Sequence, residues 1–266
     1  PWRFLHAARL SGAANPLQSG HPESSIREVP ALIFATDPST DTALSRTRTL
    51  LFALSGALVL LACPDSPVLL PYPLLVLAVL RGWRLPRIGG AGTSLLLSTL
   101  LATFVLETGA WAHNYLRDAP EPALFHPQLL PDLIVAVGVY ASWWLTWWWA
   151  LRRYRFTTLQ VFLTSGLYGV LIEQQGKIFI AGLSTMPTGL LLWAFVALAY
   201  GSTMALATFL VRDRFDAQRD GRWKLPLTWL LLFAMTFATS FAWGLVLQAT
   251  DAIPPKKLPM REHPFW

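Results

Sequence analysis

Two carboxylates sit inside long apolar stretches, where acids are rare: Glu107 within residues 103–111 and Glu173 within residues 170–177. Each lies about 15 residues past the start of its stretch, which places both at one depth if the stretches are helices rising about 1.5 Å per residue. Two acids at one depth could serve as acid and base toward a bound substrate, or take up and release a proton in coupled transport. Lys177 stands four residues after Glu173, the spacing of an ion pair along one helix face, and could also draw Glu107. The plainer alternative is a structural network in which Lys177 snorkels toward the membrane surface. Gly169 and Gly176 would let another helix approach that face.

The aromatic residues offer a second chemistry. Tyr140, Trp144 and Trp148 recur at helical spacing, as do Trp143 and Trp147. Tyr140, Trp143 and Trp144 could form a flat wall for a lipophilic ligand such as a carotenoid or quinone; Trp111 and Asn114, on the face of Glu107, could extend it. The competing reading is an aromatic belt next to Arg152 and Arg153, combined with ordinary helix packing.

A metal centre is not expected. Glu107 and His113 are six positions apart, about 240° around a helix, and neither Glu-x-x-His nor His-x-x-x-His occurs. His126 reads as a loop residue before Pro127, and Asp132 as a first-turn carboxylate favoured by the helix dipole. No histidine is deep enough in a stretch to ligate haem. Phosphate-binding loops, dinucleotide turns, nucleophile elbows and zincin helices are absent from the sequence, so it names neither a reaction nor a cofactor.

The elements that must position these residues follow from solvent. The chain has 266 residues, 54% hydrophobic and 14% charged, against about 25% charged for a soluble domain. Its mean hydropathy is +0.44. Such a surface suits a bilayer, where a crossing takes about 20 apolar residues and each helix satisfies its own backbone. The expected fold is an all-α, polytopic transmembrane helix bundle of about seven spanning helices, near 49–63, 68–80, 92–113, 132–151, 157–178, 187–211 and 225–248. Residues 1–48 read as a cytoplasmic segment, with 2–10 either a short surface-lying helix or an irregular tail. Residues 49–248 form the transmembrane domain and 249–266 an irregular, Pro-rich extracytoplasmic tail.

Arginines collect in every second connection: Arg46 and Arg48; Arg81, Arg84 and Arg87; Arg152, Arg153 and Arg155; and Arg212 through Lys224. The positive-inside rule then gives an N-in/C-out protein of a bacterial-type inner membrane. This orientation is opposite to that of rhodopsins and G-protein-coupled receptors. The net charge of +6 gathers at span ends, which argues for lipid headgroups and against nucleic acid. The single cysteine, Cys63, can form no disulfide within the chain. Small residues, including Ala234, Ala238 and Ala242, mark expected helix contacts.

Three functions fit, in this order. The first is a non-catalytic or lipophilic-ligand-holding subunit of a larger membrane assembly, with other membrane subunits as partners. The second is a membrane-embedded enzyme on a lipophilic substrate, with Glu107 and Glu173 as acid and base. The third is a proton-coupled carrier using the same acids.

Overall fold

The computed structural model describes residues 42–119, 122–217, 219–253 and 259–266, with side chains from Arg46 onward in the first helix. The expected surface helix at 2–10 lies outside them. The fold is helical, and the described residues contain no strand. Eight α-helices occur among them: α1 (Thr42–Ala62), α2 (Pro71–Arg81), α3 (Ala91–Leu116), α4 (Leu129–Arg153), α5 (Thr158–Ile172), α6 (Lys177–Ser184), α7 (Gly189–Leu210) and α8 (Lys224–Thr250).

Four of these, α3, α4, α7 and α8, are long and apolar enough to cross a membrane. The remaining stretches behave differently from a simple row of spans. The second is an 11-residue helix, α2, behind a 3-10 turn at Pro67–Leu69, because Pro67, Pro71 and Pro73 cannot continue a helix from before. The fifth is not one helix. It breaks after Ile172 and resumes at Lys177.

Helix α7 is the hub. It packs against α2, α3, α5 and α6, and its stretch from Gly201 to Leu210 is buried on all sides. The α5–α7 pairing is the broadest in the bundle and depends on glycine. A Cβ at Gly166 would lie 2.7 Å from the Ala197 carbonyl oxygen, and one at Gly201 would lie 2.6 Å from that of Phe162. Only hydrogen at these positions lets the two backbones meet this closely.

Helix α8 is held mainly by α4. Its buried residues are Lys224, Thr228, Leu232 and Thr236, one every fourth position, so a single face is used. That face is stitched by hydrogen bonds. Thr239 Oγ1 donates to Gly138 O at 2.6 Å and Trp243 Nε1 to Ile134 O at 2.7 Å. The Thr236 hydroxyl meets Ser142 Oγ at 2.8 Å and Tyr168 Oη at 2.5 Å. The alanine stripe expected to mark a contact, Ala234, Ala238 and Ala242, points outward instead, beside Phe237 and Phe241, which are 72% and 71% exposed. Polar bonding on the threonine face outweighs the close approach the alanines would allow.

Thr236 therefore joins three helices. Thr236→Val should cost about 1–3 kcal/mol, because the buried Tyr168 hydroxyl loses its partner while Ser142 keeps Val139 O. Thermal unfolding in detergent would read this, and an unchanged midpoint would contradict the assignment.

The basic connections share one end of the bundle. Leu85 N–H donates to Leu210 O, Arg155 N–H to Arg219 O, and Lys224 Nζ to Arg155 O at 2.8 Å. The loop between α3 and α4 and the chain terminus occupy the opposite end.

Candidate functional site

On α3, one face buries Thr99, Thr103, Leu106, Glu107, Trp111 and Asn114. On α4, the facing stripe buries Asp132, Ala136, Tyr140, Trp143 and Trp147, at helical steps of three and four. Where the faces meet, the Tyr140 hydroxyl donates to Glu107 Oε1. The Asp132 carboxyl lies near that of Glu107, and its Oδ2 is buried with no hydrogen-bond partner. Glu107 is 6% exposed and Asp132 fully buried. Asp132 Oδ1 also accepts the His126 backbone N–H at 2.9 Å.

The loop between α3 and α4 is folded inward to make this possible. Asn114 Oδ1 accepts the Ala123 N–H at 3.2 Å and Trp111 Nε1 donates to Pro127 O at 3.2 Å. His126 Nδ1 accepts the Gln128 N–H at 3.2 Å. Trp111 and Asn114, candidate ligand contacts in the sequence, are thus engaged in holding the loop. The end of the chain seals it. Leu129 and Leu130 N–H donate to Pro264 and Phe265 carbonyl oxygens, each at 3.0 Å, and Phe265 stacks on Trp111. These carbonyls supply acceptors for the first turn of α4, which has no side-chain cap. The tail's last residues, 259–266, are therefore docked, with turns and bends and no helix or strand.

Glu173 forms the second half. It lies at the break between α5 and α6, in the 3-10 turn Glu173–Gly176, and its Oε2 accepts the Tyr200 hydroxyl of α7. Gln174, Gln175 and Gly176 have φ of 48°, 59° and 85°. Left-handed backbone costs a non-glycine residue about 1–2 kcal/mol, so α5 cannot propagate through it. This corrects one expectation: Glu173 and Lys177 are not one turn apart on a common helix. Lys177 begins α6 and is exposed.

Trp143 links the halves. It is 1% exposed, and its ring lies 5.4 Å from Tyr140, 6.1 Å from Tyr168 and 5.5 Å from Tyr200. Trp144 stands apart, bonded to Gly92 O and stacked on Trp148. Trp143 stands between the two tyrosines that bond to Glu107 and Glu173. The two acids share a depth. Glu107 is about 14 Å from the end of α3, and Tyr200, which holds Glu173, about 16 Å from the start of α7.

The arrangement brings Glu107, Glu173, Tyr140 and Trp143 together. Lys177 and Trp144 stay outside, and Trp111 and Asn114 border it. Asp132 and His126, given structural roles in the sequence reading, belong to it as well, as do Tyr168 and Tyr200, which that reading did not single out. For Asp132 there was a signal: it lies eight positions before Tyr140, on the same buried stripe of α4. Among the described residues, no group of three or more histidine, cysteine, aspartate or glutamate side chains is placed to hold a metal ion.

Comparison with known proteins finds no matching family model, no similar curated protein and no similar solved structure.

Proposed function

We propose that this is a multi-pass membrane protein whose acid–tyrosine centre takes up and releases a proton, and that it works as a proton-coupled carrier. The observation that carries this is the meeting of Glu107 with Asp132 in the packed interior. Two carboxylates have no hydrogen between them to share, so a bond between them requires one proton, and Asp132 Oδ2 is buried without a hydrogen-bond partner. Tyr140 donates to Glu107, which leaves that proton on the Glu107–Asp132 side. Buried ionisable groups in spans are expensive and lie on ion or proton routes in many membrane proteins.

The break at Glu173–Gly176 supports a carrier over an enzyme. Interrupted helices near mid-depth are how transporters place backbone and side-chain groups around a moving ion. Irregular backbone at membrane depth is tolerated beside water or protein. Gln174 and Gln175 are exposed there, so Glu173 is the member of the centre nearest the surface. Glu173–Tyr200 and Glu107–Tyr140 are two hydrogen-bonded pairs on either side of Trp143, and Glu107, in the second pair, is the acid proposed to carry the exchangeable proton.

The passive-subunit reading keeps one specific observation in its favour. The outward face of α8 pairs Phe237 and Phe241 with three alanines, a surface a partner helix could use.

The proposal includes the finer topology: seven crossings, with α1, the Pro67–Arg81 segment and the broken α5–α6 counted, and an N-in/C-out orientation. A reporter fused after Trp266 should be active outside the cytoplasm, whereas activity on the cytoplasmic side would require an even number of crossings. Function is tested in vesicles of purified protein carrying an internal pH dye. An imposed potential should drive proton entry above that of empty vesicles; equal rates would overturn the carrier reading.

A further inference from the structure

A cleft of about 430 Å³ opens at the arginine-rich end, between the start of α3, the end of α4 and the loop after α7. It shares no residue with the acid centre. Arg214 lines it. Its Nη2 donates to the carbonyl oxygens of Leu85 at 2.5 Å and Pro86 at 2.7 Å, which fixes the guanidinium. Its Nε and Nη1 are buried and lack hydrogen-bond partners. Buried charged donors left unused are costly, and arginine has no neutral form to retreat to.

The rest of the lining explains what those donors are for. Arg152, which also lines the cleft, lies over the Trp148 ring, 4.9 Å from its centre, and brings a second guanidinium. Helix α3 begins here at Ala91 and Gly92, behind Gly90, with no side-chain cap. Its first-turn N–H groups therefore add donors and the positive end of a helix dipole. Trp148 and Phe215 make the remaining wall apolar, and exposed Asp216 is the one acidic residue on the lining. Two guanidiniums, a helix start and an apolar wall match a compact tetrahedral anion attached to something greasy.

The geometry points to a phosphate-binding site in this cleft, filled by Arg152, Arg214 and the start of α3 acting on the phosphate of a phospholipid headgroup or of a soluble phosphate compound. The two sources present the same oxygens and differ in the attached chain.

The full chain, purified in detergent, decides it by native mass spectrometry with phosphatidylglycerol and, separately, with a diacylglycerol of the same chains. Phosphatidylglycerol should stay bound and diacylglycerol should not. Arg152→Gln and Arg214→Gln should each weaken the lipid by about tenfold, the effect of losing one charged hydrogen-bonding group. Displacement of the lipid by millimolar inorganic phosphate would assign the site to soluble phosphate; resistance would assign it to the headgroup. Arg214 also braces Leu85 and Pro86, so Arg214→Gln could unfold this end. Arg152, exposed and at the rim, gives the variant that keeps its fold. Equal binding of the two lipids, or undiminished phosphatidylglycerol binding by Arg152→Gln, would overturn the assignment.

Discussion

Glu107→Gln should abolish proton entry into vesicles while leaving the fold intact. The amide oxygen still accepts from Tyr140, and the amide nitrogen can donate to Asp132, so the hydrogen-bond pattern survives. What disappears is a group able to give up its proton, and the loss in rate should be about 10²-fold or more. The midpoint of thermal unfolding separates the two effects. It should fall by little, whereas Glu107→Ala strands both Tyr140 and Asp132 and should cost about 3–5 kcal/mol. A Glu107→Gln protein that folds normally and transports like the wild type would remove Glu107 from function and return the protein to the passive-subunit reading.

The second large effect is structural. Gly201→Leu should destabilise the bundle by about 3 kcal/mol or prevent folding, because overpacking here displaces backbone and not the tip of a side chain. The clash is with Phe162 O where α5 crosses the hub helix. Gly244→Leu is the control, since a Cβ there meets nothing within 4 Å. That variant should match the wild type in unfolding temperature. Similar losses at both positions would mean that the contact with Phe162 O does not set the cost, since leucine improves helix propensity at either site.

How far these features were legible in the sequence depended on range. Helix class followed from composition, because apolar stretches of this length leave the backbone no other way to bond in hydrocarbon. The shared depth of Glu107 and Glu173 followed from counting residues from the basic ends; the structure buries Glu107 and leaves Glu173 half-buried beside Tyr200. The gathering of Arg155, Arg212, Arg214 and Arg219 at one end was likewise visible in their alternation.

What could not be read depended on tertiary partners. Residues 157–178 are apolar enough to read as one helix, yet Glu173 bonds to Tyr200, 27 positions away, and the chain unwinds around that bond. Asp132 looks like a capping acid until α3 sets Glu107 beside it. His126 is the loop residue it looks like, but the loop turns inward and buries it, with its backbone N–H on Asp132. The alanines of α8 carry the spacing of a contact stripe. Only the competing bonds of Thr236, Thr239 and Trp243 decide which face turns in.

The proton held between Glu107 and Asp132 is the centre of this account, and infrared spectroscopy of the purified protein observes it directly. A protonated carboxyl has a C=O stretch distinct from that of a carboxylate, and it shifts in heavy water. Spectra of the wild type minus Glu107→Gln, and minus Asp132→Asn, should each contain one such band, since either substitution removes the shared proton. A difference showing only carboxylate bands for both variants would mean that the pair holds no proton and would contradict the proposed centre.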